Sequence, residues 1–405
     1  MDFLIRSCTT ALLAAMLALS APYADAVMNN AAQVSAGLTH SCALLTNGTA
    51  ACWGDDSSGQ LGDGTFATRS FPELVNWSRT GERMDHLVQI VAASGFTCAV
   101  RDDETAWCWG QNGVGKLGNG KAGIDERYPV QVSIDKPVKG ISAVGESACA
   151  LLDTPQRSLR CWGSNDDGQL GDGTKIDRAA PVDVVITERD GSRNLLTDVK
   201  QISMGTDHAC ATLVDSTVAC WGFNWTGELG NGTFTDNQSP TAVIIAGGSY
   251  TKLSGITQVT ANGLHSCAKF ASTWQLACWG NNSQGQLGNP AVTSVTASPV
   301  GVVVGVQSVG AGSESTCALL ADYRVACWGG NSYGQLGDGT TTGSRTPLIL
   351  PITRAASLSV GNYHACAVLP DTTVECWGRG REGQLGNGLF DEKKSTPQRV
   401  HDIDG

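Results

Sequence analysis

Cys-Trp-Gly occurs seven times in this chain of 405 residues, with its tryptophan at Trp53, Trp109, Trp162, Trp221, Trp279, Trp328 and Trp377. A unit repeated every fifty to sixty residues or so describes a fold that stacks one small element many times, because such a unit cannot bury its own apolar face. Eight residues after each tryptophan comes Leu-Gly, usually within Gly-Gln-Leu-Gly: Leu61, Leu117, Leu170, Leu229, Leu287, Leu336 and Leu385. An Asp-Gly or Asn-Gly turn usually follows. A proline then opens a short apolar run, at Pro72, Pro129, Pro181, Pro240, Pro299, Pro347 and Pro397.

Each unit reads as four short strands punctuated by turns. A Val-x-x-Ile type segment comes first, then Ser41–Leu45, then Ala50–Trp53, then the proline-led strand. Asn47-Gly48 between the second and third is a hairpin signal. Those two strands are apolar at nearly every position, so both faces of each small sheet are buried between neighbours. Seven such sheets arranged radially give an all-β, seven-bladed propeller of four-stranded blades. Glycine, 50 of 405 residues, suits so many turns and argues against long helices. The last proline-led strand has no Val-x-x-Ile strand after it, and a copy stands at the front near Ala31–Val34. The N-terminal strand is therefore expected to complete the last blade and close the ring, leaving no free edge.

Residues 1–26 read as a signal peptide, with Arg6, an apolar run from Ala11 to Leu19, and a small-x-small site at Ala24-Asp25-Ala26. The run is shorter than a membrane span needs, and no later segment is longer. Residues 27–405 then form a single propeller, with repeats at 33–87, 88–137, 138–198, 199–255, 256–305, 306–353 and 354–405. A formal charge of -11 argues against nucleic acid, whose partner needs a basic footprint.

A second cysteine precedes each Cys-Trp-Gly by ten to twelve residues. Cys42 and Cys52 are equidistant from Asn47, so a hairpin turning there sets them opposite one another. The pairs are Cys42–Cys52, Cys98–Cys108, Cys149–Cys161, Cys210–Cys220, Cys267–Cys278, Cys317–Cys327 and Cys366–Cys376. Disulfides in an exported protein, buried thiols and metal sites are the alternatives; the close Cys-x-x-Cys pairs usual for zinc are absent.

The order Gly-x-x-His-Ser-Cys-Ala-Leu … Cys-Trp-Gly-x-x-x-x-Gly-Gln-Leu-Gly resembles the regulator of chromosome condensation repeat family across nearly all of residues 27–405. The resemblance implies a seven-bladed propeller acting through protein contacts. Members include a nuclear nucleotide-exchange factor for a small GTPase, a plant UV-B photoreceptor and secreted bacterial β-lactamase inhibitors. The paired cysteines depart from the family, where apolar residues commonly stand.

Histidine lies two residues before the first cysteine in four copies, at His40, His208, His265 and His364. A residue repeated around a ring reads as a strut to a neighbour, and a cysteine held in a disulfide is no nucleophile. The tryptophans of Cys-Trp-Gly read as packing between blades. The residues before the repeat histidines are Thr39, Asp207, Leu264 and Tyr363, so the tryptophans that the photoreceptor would use are missing. Asp55-Asp56 and Asp166-Asp167 offer no full calcium ligand series. No cofactor, metal or catalytic group is expected. Aromatics in the variable loops are the partner-binding candidates: Phe66, Trp225, Phe234, Tyr333 and Phe390. The expectation is a secreted, periplasmic or cell-surface monomer without enzymatic activity, binding a protein or a surface glycan through loops on one face. The alternative is nucleotide exchange on a small GTPase.

Overall fold

The computed structural model describes residues 27–188, 190–245, 251–302, 305–352 and 354–403. The expected signal peptide, with Cys8, lies outside them. Seven four-stranded antiparallel sheets are present, each with its strands in sequence order, together with one small hairpin of Val185–Thr187 and Arg193–Leu195. In the first blade the strands are Ala31–Ala36, His40–Leu45, Ala50–Gly54 and Arg69–Leu74. The second and third strands are buried at every position in that blade. The fourth strands are partly exposed and form the rim. The first strands of all seven blades surround an axial cavity of about 350 Å³.

The ring closes at its N-terminal end by a different route from the one expected. Ala31–Ala36 pairs with His40–Leu45 in its own blade, and the last sheet takes all four strands from 357–399. The reason lies in where the blades begin. Each hairpin is preceded by its own first strand, so the copy at the front belongs to the first blade and none is spare. What reaches the last blade is shorter: Val27 bridges His401, and Met28 N–H donates to Val400 O at 3.1 Å. Met28 does there what Met84, Leu196 and Leu253 do elsewhere, donating to the residue that immediately follows a fourth strand (Val75, Val184, Val243) just before the chain starts the next blade. The long segments after three of the blades carry surface hairpins or bridges, as in Val185–Thr187 with Arg193–Leu195, Asn76↔Arg83 and Ile244↔Lys252.

All fourteen described cysteines form disulfides, in the seven expected pairs. Each joins residues directly opposed across the second and third strands, with Cα atoms 4.0–4.1 Å apart. A disulfide set of this size fits an oxidising compartment.

The repeat motif works at the seams between blades. Each tryptophan of Cys-Trp-Gly is fully buried, and its indole N–H donates to a backbone carbonyl of the preceding blade. Trp109 donates to Gln60 O at 3.0 Å, Trp221 to Gln169 O at 2.9 Å and, across the closing seam, Trp53 to Gln384 O at 2.9 Å. Full burial of such a ring contributes about 5 kcal/mol of transfer free energy, as an upper figure. The glycine of Leu-Gly is required by the same contact. At Gly62, φ is +71° and an added Cβ would lie 2.7 Å from Trp109 Nε1.

The four histidines brace the same seams. His40 Nε2 meets Thr97 Oγ1 at 2.8 Å, His208 meets Ser266 at 2.9 Å, His265 meets Thr316 at 2.7 Å and His364 meets Ser41 at 2.8 Å. Each hydroxyl donates its single proton to the glutamine-position carbonyl that the tryptophan also uses, as Thr97 Oγ1 does to Gln60 O at 2.7 Å. The histidine must therefore be the donor, with its proton on Nε2. Its Nδ1 has no partner among the described residues. Burial depresses these imidazoles to about 4 for His40 and His208 and about 3 for His265 and His364, so they stay neutral. At the other three seams the histidine position holds Phe96, Ser147 or Ser315, and the receiving position holds Ala148, Ala209 or Ala365. Donor and acceptor are thus present together or absent together at all seven seams.

Candidate functional site

In a four-stranded meander the connections between strands one and two and between three and four leave from the same end. The first are tight turns near the axis; the second are the long loops after Cys-Trp-Gly. Every one of the five aromatic candidates lies in a loop between third and fourth strands, so all five are at this end.

Five of these loops are organised by a buried asparagine that follows the Cys-Trp-Gly glycine by two residues. Asn165 Oδ1 accepts Leu170 N–H at 3.0 Å, while its Nδ2 donates to Asp172 Oδ1, Thr174 O and Ile176 O at 3.1–3.2 Å. Asn112, Asn224, Asn282 and Asn331 accept from the matching leucines in the same way. Such self-contained wiring leaves the loop's outer residues free to vary. In the first blade Asp56 takes the place, accepting from Leu61 N–H at 2.9 Å and from Thr65 Oγ1 at 3.2 Å. Burial above all, with Asp63 nearby, pushes this carboxyl up to about 7.

Trp225 is 72% exposed, more than any other large apolar side chain among the described residues. It stacks on Phe223, ring centroids 5.7 Å apart. Phe234 of the same loop is half-exposed, as are Phe66 in the first blade and Phe390 in the seventh. Arg127 from the second blade lies 5.4 Å over the Phe66 ring. Tyr333 is only partly exposed: it packs against Tyr363 at 5.3 Å and under Arg379 at 5.7 Å. The candidates therefore fall into an arc over blades six, seven and one, and a separate pair on blade four.

Sequence reasoning that looked only for aromatics passed over Ile124, Ile176 and Leu389. These are exposed in the corresponding loops of blades two, three and seven. Their signal was available, since each follows an Asn-Gly or Asp-Gly turn as Phe66 and Phe390 do. Phe223 and Tyr363 were missed because their role depends on contacts between rings. Trp77 and Trp274 lie in connections at the opposite end.

The same end is acidic around blades three and four. Asp207, in an axial turn, is pushed up to about 6 by burial and by the neighbouring charges of Asp167, Glu146 and Asp166. Asp167 is also raised, by burial first and partly offset by Lys175. Lys175 spans Asp236 at 3.4 Å and Asp167 at 4.0 Å. Lys116 occupies the glutamine place of the second blade. It is buried and bonds Gln111 at 2.6 Å and Glu146 at 2.9 Å.

Comparison with known proteins agrees with this architecture. The Ultraviolet-B receptor UVR8 of Arabidopsis thaliana is 30% identical over 258 residues, 63% of this chain and 54% of that protein. The mitochondrial RCC1 domain-containing protein RUG3 of the same plant is 28% identical over 277 residues, 66% of this chain and 58% of that one. The chain thus spans little more than half the length of these relatives. Among solved structures, yeast RCC1 (Prp20), crystallised with Kap60, superposes with a TM-score of 0.74 at 19% identity, covering 93% of this chain and 86% of that one. Human WBSCR16 gives 0.72 at 22% identity, covering 87% and 94%. These likenesses show the fold. The Regulator of chromosome condensation (RCC1) repeat is matched at residues 31–60 and 47–100, and the RCC1-like domain at 87–405. With seven blades wired by the same Cys-Trp-Gly and Gly-Gln-Leu-Gly grammar, the chain belongs to the RCC1-like domain family.

Proposed function

We propose that this chain is exported, loses residues 1–26, and works outside the cytosol as a monomeric, non-enzymatic scaffold that holds a protein partner at the loop end of its ring. The observation that carries this reading is the gathering of exposed apolar side chains at one end: Phe66, Trp225, Phe234 and Phe390. Large aromatic rings bury much area at small entropic cost, which is why they anchor interfaces. The disulfide set supports the compartment. The family supports action through contacts, although fold alone does not choose a partner.

The test is affinity capture from periplasm, culture medium and cell surface with the mature chain as bait. It is repeated with a variant carrying Phe66→Ala, Trp225→Ala, Phe234→Ala and Phe390→Ala. A protein retained by the first bait and lost with the second supports the proposal. Retention of a glycan alone, or equal capture by both baits, overturns it.

A further inference from the structure

Resting on that reading, we infer that the Trp225 patch of blade four is built for a cationic side chain, arginine or lysine, presented by the partner. Five of the other outward rings of this protein, two of them tryptophans, carry one of its own cations. Arg127 covers Phe66, Arg379 covers Tyr333, Lys269 covers Trp274, Arg354 covers Tyr323 and Arg101 covers Trp77, at 5.3–5.7 Å. A cation over an aromatic face gains from the ring quadrupole, most of all over tryptophan. Among the described residues Trp225 is the most exposed of the large apolar side chains and the best π-face, yet no cation lies over it; Phe234 and Phe390 are bare as well, but a phenyl face is the weaker cation site. Its only ring partner there is Phe223, which stiffens it from one side.

The surroundings name the charge of the missing group. Phe223 N–H donates to Asp207 O at 2.9 Å, and Asn224 N–H donates to Asp236 Oδ1 at 2.9 Å, so two acidic residues are held against the indole's own segment. Asp207 shares its field with Asp167, Asp166 and Glu146. Against these five carboxylates stand Lys175, bound to Asp167 and Asp236, and the buried Lys116, bound to Glu146. Even with Arg193, which lines the same pocket as Asp236, carboxylates outnumber cations around the indole's segment. An anionic ligand would be repelled there, and a neutral apolar one would desolvate the carboxylates without pairing them. A guanidinium or ammonium on the indole face satisfies both the ring and the acids.

The probe is fluorescein-labelled hexa-arginine, with hexa-glutamate as its counterpart. Binding to the mature, disulfide-intact protein is read by anisotropy at low and at physiological salt. Hexa-arginine is expected to bind and hexa-glutamate not. Trp225→Ala should weaken binding about five- to tenfold, the loss of one desolvated cation–π contact. Asp166→Asn with Asp167→Asn and Asp207→Asn should weaken it at least as much and remove most of its salt dependence. Val214→Ala, exposed at the opposite end of the same blade, should stay within about twofold of the parent. Binding unchanged by Trp225→Ala shows only diffuse attraction to an acidic protein and overturns the inference; so does absence of binding. A natural partner captured through Phe66 or Phe390 but indifferent to Trp225→Ala would also overturn it, while leaving the scaffold reading intact.

Discussion

Replacing Asp56 by asparagine should stabilise this protein above neutral pH and leave it nearly unchanged in acid. Asp56 is buried where five sister loops use asparagine, and it faces Asp63 and Thr65 as Asn165 faces Asp172 and Thr174. Asparagine donates two protons in that position; an ionised carboxylate donates none. The carboxyl is accordingly raised from 3.8 to about 7, chiefly by burial. A group whose folded value lies above its unfolded value lowers stability as pH rises from the unfolded value to the folded one. Between pH 3.8 and about 7 the parent loses up to 1.36 kcal/mol per pH unit, a ceiling of about 4 kcal/mol. Arg69, 3.2 Å from Asp63 and partly open to water, screens the pair, so we expect a gain of about 2 kcal/mol for Asp56→Asn at pH 8. The assay is non-reducing chemical denaturation of parent and variant from pH 4 to pH 9. The difference should be near zero at pH 4, grow through pH 7 and then level off. A difference that does not vary with pH, or a variant weaker than the parent at pH 8, would refute the argument.

Four further outcomes follow from the seams and the sulfurs. Reduction of the intact mature protein should raise its mass by about 14 Da, two hydrogens for each bridge, as read by mass spectrometry. Gly62→Ala should cost about 2–3 kcal/mol, since it combines a forbidden φ with a Cβ pressed on Trp109, whereas Gly301→Ala, with no atom near its Cβ, should stay within about 0.5 kcal/mol in the same denaturation assay. His208→Ser and Ser266→Ala should show a coupling of about 1 kcal/mol in a double-mutant cycle, because the pair is made or lost as a unit. The buried histidines also set an acid limit. Their folded values lie below 6.5, so the stability they contribute is whole above pH 6.5 and declines as pH falls towards 3–4, measurable as a midpoint shift that His208→Ser reduces.

The blade was legible in the sequence because its grammar is local. Continuous apolar runs, Asn-Gly turns and equidistant cysteines fix strands and their pairing within about fifty residues. Ring closure was harder, since Ala31–Val34 looks like a surplus strand unless the phase of the blade is known. The signal that would have resolved it was present and unused. His364 precedes no later blade, yet Ser41 in the first blade is the hydroxyl it needs, just as Thr97 serves His40. Pairing each histidine with a downstream Ser or Thr, and each non-histidine with Ala, orders all seven blades and joins the last to the first. The loop end was only partly legible. Exposed aromatics can be read from turn positions, but the Phe223–Trp225 stack and the field around Asp207 arise between segments distant in the chain.

The junction of the first and seventh blades uses the same indole, imidazole and hydroxyl contacts as its neighbours, and Val27 lies bridged to His401 beside it. The molecule therefore has no privileged starting point. A circular permutant that splices the two ends through a short linker and opens between the second and third blades would keep the closing contacts and every disulfide, cutting only the connection from one rim strand to the next axial strand. Evolution or an engineer could move the termini around this ring, and so place a fused module on any side of the end opposite the candidate loops, without rewriting a blade.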